Sequence, residues 1–405
     1  MLFCRRGEDI IDSLPESDID PFCHAYLTDP YPFHQQLREA GPLVRLRTLD
    51  CWGTGRHKEM NEVLADAATY CSSAGVGIGN LKTEGHWRQP SLLLEADPPL
   101  HTQRRAVVSK VLSPANLRRL REDFEREAVL RVDAVLERGR FDGVSELAEP
   151  YILNVFPEAV GLTEHGREHL LPYGAMVFNG FGPRNAIFDE CMRNAEAVQA
   201  WISTAYLREN LKPGKLGQQV YDAVDAGQIA LEEAPILVRS FLSAGVDTTV
   251  NAIGNALWCF ALHPGEWQKL HANPTLARAA FEEVLRYESP FQSYFRTTTR
   301  DTTLAGVPIA ANSKVFLSVG AANRDPLRWP DPERFDISRP TAGHMGFGGG
   351  IHGCIGQMIA RLETEVLLSE LARRVSNIEL VGPTRPRYNN TLRGFDALPL
   401  AVEAA

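Results

Sequence analysis

Cysteine is scarce in this chain: there are seven in 405 residues, and no two are spaced Cys-x-x-Cys. An odd, scattered set supports neither a disulfide scaffold nor a zinc ribbon, and points to a reducing, cytoplasmic setting. Long apolar runs are missing too. Nothing reaches the roughly 18 uninterrupted apolar residues of a membrane span, and the nearest candidate contains Arg239 and Asp247. The N-terminal stretch around Cys4, Arg5 and Arg6 never builds the ~7–15-residue apolar core of a signal peptide. Positive charge is in deficit, 42 Lys plus Arg against 51 Asp plus Glu for a net of -9, which opposes a general grip on phosphate backbones. Neither a membrane nor a nucleic acid is an expected partner.

Repeats and low-complexity tracts are absent, and the 26 prolines are spread along the chain rather than gathered into a linker. Length alone allows two or three domains of ~150 residues each. With nothing to divide the chain, one domain over 1–405 is expected, as a monomer. Its pattern is mainly α with a minor β part: short strands and turns over roughly 42–56, 291–310 and 377–402, and helix elsewhere. Leu117, Leu120, Phe124, Ala128, Leu130 and Val135 recur at near-helical spacing among Arg and Glu, which predicts a helix with one apolar stripe. The longest helix is expected from Glu232 to His263, ~45 Å at 1.5 Å per residue. It is apolar on nearly every face, so it must be buried.

Four segments carry unusual chemistry. The first, Phe347-Gly348-Gly349-Gly350-Ile351-His352-Gly353-Cys354-Ile355-Gly356, delivers one cysteine from a Gly-rich loop to the start of a helix. Free N–H groups and the positive dipole end there favour thiolate, the form a metal ligand or nucleophile needs. No Gly-Lys-Ser/Thr follows, so a phosphate loop is unsupported, and His352 and Cys354 are too close for a shared zinc with no second ligand pair. An inert buried cysteine is the alternative. The second segment, Ala244-Gly245-Val246-Asp247-Thr248-Thr249, puts poor helix formers in the middle of the apolar helix. Either something polar sits against this turn, or Ser243, Asp247 and Thr248 form a self-satisfied kink.

The third is Glu283-x-x-Arg286, which alone reads as an ordinary i,i+3 ion pair. The fourth is Asp97-Pro98-Pro99-Leu100-His101-Thr102-Gln103-Arg104-Arg105, where two prolines start a helix and His101 and Arg105 stand one turn apart. Two such donors suit a carboxylate; a solvated basic face is the alternative.

In these four segments, in this order, the chain resembles the cytochrome P450 haem-thiolate monooxygenases over nearly its whole length. The loop fills every fixed position of F-G-x-G-x-H-x-C-x-G. The resemblance implies haem b (iron protoporphyrin IX) sandwiched between the long central helix and the cysteine-bearing helix. Cys354 is then the axial iron ligand, with Phe347, Gly348 and Gly356 framing the cofactor. His101, Arg105, Arg296 and His352 hold the propionates. Ala244 and Gly245 leave room for dioxygen, while Asp247 and Thr248 relay protons. Glu283 and Arg286 form a buried structural network completed by Arg334 or Arg339. No flavin or iron–sulfur motif is present, so electrons are expected from a [2Fe–2S] ferredoxin fed by a flavoprotein NAD(P)H-dependent reductase, with Arg104, Lys110 and Arg361 as candidate contacts.

Further segments, among them Trp87-Arg88-Gln89-Pro90-Ser91, Val177-Phe178-Asn179-Gly180-Phe181 and Leu237-Val238-Arg239-Ser240, are similar to bacterial members that oxidise para-substituted benzoates, including 4-methoxybenzoate demethylases. The expected substrate is a small aromatic carboxylate. Arg88, Ser91, Arg239, Ser240 and Ser243 would hold the carboxylate. Phe178, Phe181, Tyr294 and Phe295 would wall the ring beside Ala244. For 4-methoxybenzoate, the products are 4-hydroxybenzoate and formaldehyde. Arg239 could instead pair with Glu232 or Glu233. Oxidation of another small acid or neutral aromatic, and a non-catalytic haem sensor, are the rival functions.

Overall fold

The computed structural model describes residues 15–405; the N-terminal stretch read for a leader, with Cys4, lies outside them. A six-stranded sheet runs Glu16–Ser17, Val44–Leu46, Cys51–Thr54, Lys314–Ser318, Ser293–Thr298, Tyr70–Cys71. The expected hairpin after Gly41-Pro42 is its Val44–Leu46/Cys51–Thr54 pair, antiparallel with Arg45 opposite Trp52. A three-stranded sheet joins Val375–Leu380, Pro399–Ala404 and Arg140–Asp142. The Arg140–Asp142 strand interrupts a stretch whose periodicity reads as helix throughout. Gly139 ends the Pro114–Arg138 helix in a left-handed conformation (φ +68°), and the next three residues pair with the far C-terminus.

The rest is helical, around one large apolar core. Leu117, Leu120, Phe124, Ala128 and Val135 face inward from the Pro114–Arg138 helix, but Leu130, two residues past Ala128 and so off the i, i+3/i+4 stripe, is 61% exposed, and Val132 takes the inward place. That helix packs along Gln357–Arg374, the helix that follows Cys354. No helix among the described residues is long and apolar enough to cross a membrane.

The central helix departs from expectation. It is not continuous from Glu232 to His263 but breaks at Gly245-Val246 into Glu233–Ala244 and Asp247–Leu262. The cause is steric. The Phe156 ring lies against Gly245 so closely that a Cβ there would stand 2.0 Å from Phe156 Cζ. Across the break the Thr248 hydroxyl donates to the Ala244 carbonyl at 2.8 Å and Thr249 to that of Gly245 at 3.5 Å, side chains bonding back to carbonyls one turn earlier.

Two buried acids show opposite solutions to one problem. Glu283 and Arg286 are both 0% exposed and paired in a fork, at 2.7 and 2.8 Å. Arg286 also donates to the carbonyls of Asn323, Pro332 and Arg334, so all five of its N–H groups are used. Of the two candidate partners, Arg339 reaches Glu283 (3.5 Å), while the Arg334 side chain turns out to Asp336 and solvent and lends only its carbonyl. Glu363 is equally buried but neither carboxyl oxygen meets a hydrogen-bonding group among the described residues, and burial alone raises its pKa well above the ordinary range. It therefore folds as the neutral acid.

Because the folded-state pKa is raised, the unfolded chain releases this proton first as pH climbs, and stability falls with pH above the ordinary glutamate value of ~4.3. Glu363→Gln keeps the shape and removes the titration. Thermal unfolding should find the variant as stable as the parent near pH 4 and increasingly more stable toward pH 8; a constant difference across that range contradicts a neutral buried acid.

Candidate active site

The broken helix leaves one stripe open. Its flanks at Phe241, Leu242, Val246 and Asp247 are buried, yet Ser240, Ala244 and Thr248, one turn apart, remain accessible. The Gly-rich loop likewise stays half-open from Phe347 through Gly356. Accessible surface on elements buried elsewhere marks an interior space built for a group.

Cys354 is set by the loop, its N–H donating to the Phe347 carbonyl at 2.8 Å just before the Gln357–Arg374 helix. Burial pushes its thiol up. The Gly356 and Gln357 amides at the helix start, with Arg105 and Arg361, pull it down but do not win. The helix terminus acts in the expected direction and is insufficient alone; a bound metal cation makes the thiolate outright. Gly350, with φ +60°, is fixed by its neighbours rather than by a flat partner, since a Cβ would stand 1.9 Å from the Leu64 carbonyl oxygen.

Beside the loop lies a cluster of donors short of an acceptor. His101, 2% exposed on the Leu100–Val111 helix, and His352 hold their rings 4.3 Å apart, tilted by 51°, and each has a buried Nε2 with no described partner. Arg105 Nη2 donates to the Gly353 carbonyl at 2.5 Å. Buried Arg296 donates only to its neighbour's carbonyl, Phe295, at 2.9 Å. Asp97, the nearest acid, is 4.0 Å from His352 and its oxygens already accept from the Ser72 and Ser73 amides. Burial, then Arg296 and His101, push His352 down to about 3. Unpartnered buried donors among uncompensated cations fit a pair of carboxylates, as porphyrin propionates supply.

Asp247 and Thr248 point apart. Asp247 is 3% exposed and accepts from Asn251 Nδ2 at 3.0 Å, with Arg387 Nη1 3.8 Å away. Burial raises its pKa to about 6, against the Arg387 charge that lowers it. Arg387 is itself held by Glu149 at 2.8 Å and by Asp396 at 2.9 Å, so ionised groups run from the buried acid toward the surface. Arg387 and Asn251 were not singled out in the sequence. Arg387 belongs to no motif and lies in irregular backbone just after the two-residue strand Arg385–Pro386.

Several substrate-binding expectations change. Arg88 is not free: it forms a fork with buried Glu95 at 2.9 and 3.0 Å. Ser91 Oγ caps its own turn, accepting from the Leu93 and Leu94 amides. The Ser240 and Ser243 hydroxyls donate back to the Ile236 and Ser240 carbonyls, at 3.1 and 3.2 Å. Arg239 pairs with neither Glu232 nor Glu233, the latter being taken by Arg104. It donates instead to the carbonyls of Gln89 (2.7 Å) and Pro90 (3.4 Å), tying the 86–95 segment to the central helix. Phe178 meets Phe181 at 5.9 Å and Phe291 at 6.0 Å, and Phe291 stacks on Tyr294 at 5.6 Å, giving a continuous aromatic wall. Phe295 is not part of it: on the opposite face of its strand it packs on Phe316.

Two of three expected redox-partner contacts are also engaged, Arg104 with Glu233 and Arg361 with Glu282. Lys110 is exposed. Gly245, read as room for dioxygen, is required by Phe156.

A thiol at a helix start, donors awaiting carboxylates and a hydroxyl-lined helix break define a haem-thiolate site, and the chain belongs to the cytochrome P450 family. The family model described as cytochrome P450 matches residues 215–378. The chain is 52% identical over 393 residues to cytochrome p450 CYP199A2 of Rhodopseudomonas palustris, covering 97% of this chain and 95% of that one. Among solved structures it is similar to cytochrome P450 CYP109Q5 from Chondromyces apiculatus (TM-score 0.81, 29% identity, 96% of this chain and 99% of that). It is also similar to cytochrome P450 CREJ in complex with (4-ethylphenyl) dihydrogen phosphate (TM-score 0.86, 25% identity, 95% and 99%). The protein is thus a monooxygenase with haem b as cofactor, using O2 and electrons from a redox partner.

The helix break carries a prediction. Gly245→Ala puts a methyl into the Phe156 ring and should cost about 1–3 kcal/mol by overpacking. Adding Phe156→Leu should recover most of that in denaturant unfolding. A single variant as stable as the parent contradicts the steric origin of the break.

Proposed function

We propose that this cytochrome P450 oxidises para-substituted benzoic acids, with oxidative O-demethylation of 4-methoxybenzoate as the prototype. The observation that carries this is Arg239, a guanidinium desolvated enough that burial lowers its pKa, with carbonyls but no acid as partners. A cation so placed favours an anionic ligand. The Phe178–Phe181–Phe291–Tyr294 wall offers flat apolar surface for its ring. The CREJ complex supports a phenyl ring with an anionic head and a para substituent as a ligand type for this fold. Arg88, neutralised by Glu95, contributes N–H dipoles rather than net charge, and Ser91, Ser240 and Ser243 contribute by turning their hydroxyls.

In this reading the Cys354 thiolate would hold the haem iron, and the haem so held would supply the oxygen activation. His101, Arg105, Arg296 and His352 hold the propionates, with Phe347, Gly348 and Gly356 framing the ring. Thr248, on the open stripe with Ala244, hands protons to the oxygen side, and Asp247 resupplies them from the Arg387, Glu149 and Asp396 side. One oxygen atom enters the substrate methyl group and the other leaves as water, taking two protons and two electrons. The hydroxylated methyl ether then collapses to 4-hydroxybenzoate and formaldehyde. The reductant is a [2Fe–2S] ferredoxin served by a flavoprotein reductase, meeting the Cys354 side near Lys110. The enzyme works as a cytoplasmic, single-domain monomer.

Titrating para-substituted benzoates against the matched benzamides, read by the haem band shift, tests the substrate class. The acids should bind ~10–100-fold more tightly, the scale of a hydrogen bond to a charged group, and Arg239→Gln should remove most of that margin. Equal affinity for acid and amide rejects the carboxylate reading. For the relay, Thr248→Ala should consume electrons at a similar rate while releasing peroxide in place of much of the product; unchanged coupling rejects Thr248 as proton donor.

A further inference from the structure

Residues two apart on a strand share a face, so Tyr294 and Arg296 leave Ser293–Thr298 on the same side. Tyr294 is 6% exposed, and its hydroxyl has no hydrogen-bond partner among the described residues. A buried hydroxyl without a partner calls for an explanation. Its ring ends the aromatic wall, nearly parallel to Phe291 (20°), and the Arg296 guanidinium carbon lies 4.9 Å from the ring centre. The hydroxyl passes beyond that wall to the Gly-rich loop, 3.6 Å from where a Cβ on Gly348 would stand. It thus lies where the strand bearing Arg296 meets the loop bearing His352, whose Nε2 is equally unpartnered.

We infer that the Tyr294 hydroxyl donates a hydrogen bond to a haem propionate alongside Arg296 and His352, instead of facing the para substituent of the substrate. A carboxylate accepts about four hydrogen bonds, so a third donor beside Arg296 and His352 is accommodated without displacing either. Asp97 does not serve as the acceptor: it stands 4.0 Å from His352 Nε2, beyond hydrogen-bond distance, and makes no bond to the Tyr294 hydroxyl. The ring still serves the aromatic wall, so one side chain joins cofactor anchoring to pocket shape. This inference rests on reading the cluster as the propionate site, and it is independent of the benzoate assignment.

The test compares the holoenzyme with its Tyr294→Phe variant, which keeps the ring and its packing, and with Arg296→Lys as a reference for the cluster. Haem transfer to excess apomyoglobin should be about tenfold faster in Tyr294→Phe, the scale of one hydrogen bond to a charged group. The propionate bending modes in resonance Raman spectra should shift as well. Unchanged haem transfer and propionate modes in Tyr294→Phe, while Arg296→Lys alters both, overturn the inference. If neither variant moves them, the propionate reading of the cluster falls too, and the inference with it.

Discussion

The contact between Phe156 and Gly245 sets the geometry on which the oxygen-activating region depends. With a ring against the backbone, the central helix cannot run on regularly, and the Thr248 and Thr249 hydroxyls bond to the Ala244 and Gly245 carbonyls across the break. The second segment then starts at Asp247, and the consecutive residues Asp247 and Thr248 point to different environments. Asp247 turns into the core against Asn251 and Arg387, and Thr248 stays on the accessible stripe with Ser240 and Ala244. A relay needs this split: one group that meets the reacting oxygen, and another screened from it yet joined to solvent. Arg387, Glu149 and Asp396 make that second connection. Burial raises the Asp247 pKa, against the lowering charge of Arg387, to about 6, where it can both take up and release a proton near neutrality.

The arginines around the site sort into two kinds. Arg88, Arg104 and Arg361 are paired with Glu95, Glu233 and Glu282, and their charge is cancelled within the protein. Arg105, Arg239 and Arg296 donate to backbone carbonyls and meet no carboxylate among the described residues. Carbonyls orient a guanidinium without neutralising it. The second kind is therefore held in place and left with charge to give, two beside the Gly-rich loop and one on the central helix against the 86–95 segment. An acidic chain, net -9, can in this way build a pocket for anions. What matters is which cations are left without acids, since desolvated charges interact far more strongly than surface ones.

This sorting explains what the sequence could and could not disclose. Phe347 to Gly356 was legible because its glycines, histidine and cysteine are local, and a loop entering a helix needs only neighbours to specify it. The Pro114–Arg138 helix was legible from periodicity. The pairing of Arg88 was not: Glu95 is near in sequence, but nothing in the spacing distinguishes an acid that neutralises a pocket arginine from one that faces solvent. Arg387 reaches Asp247 through a long-range fold of the C-terminal segment, and no spacing rule crosses that distance. Gly245 was recognised as unusual from its place in the helix, but its contact was not legible, because Phe156 is on another helix and a missing side chain does not say what fills its place. The side-chain direction of Phe295 followed from strand alternation alone, and reading it as pocket wall together with Tyr294 overlooked that adjacent strand residues face opposite ways.

Among the buried polar atoms that lack partners, physical context separates the meanings of two groups. His101, His352 and Tyr294 lie among cations and beside an accessible loop, and each presents a donor. Their shared need is an acceptor bearing negative charge, which a bound carboxylate meets at every position at once. Glu363 and Thr364 lie within the packed face of the Gln357–Arg374 helix, and burial is the one influence on the Glu363 carboxyl, with no charge nearby to shift it either way. A carboxyl in that setting stays protonated, so it attracts no cation and marks no binding site. An unpartnered buried group therefore signals a ligand only where it has company of matching chemistry and an opening through which the ligand can come. The histidine–tyrosine cluster meets both conditions and Glu363 meets neither.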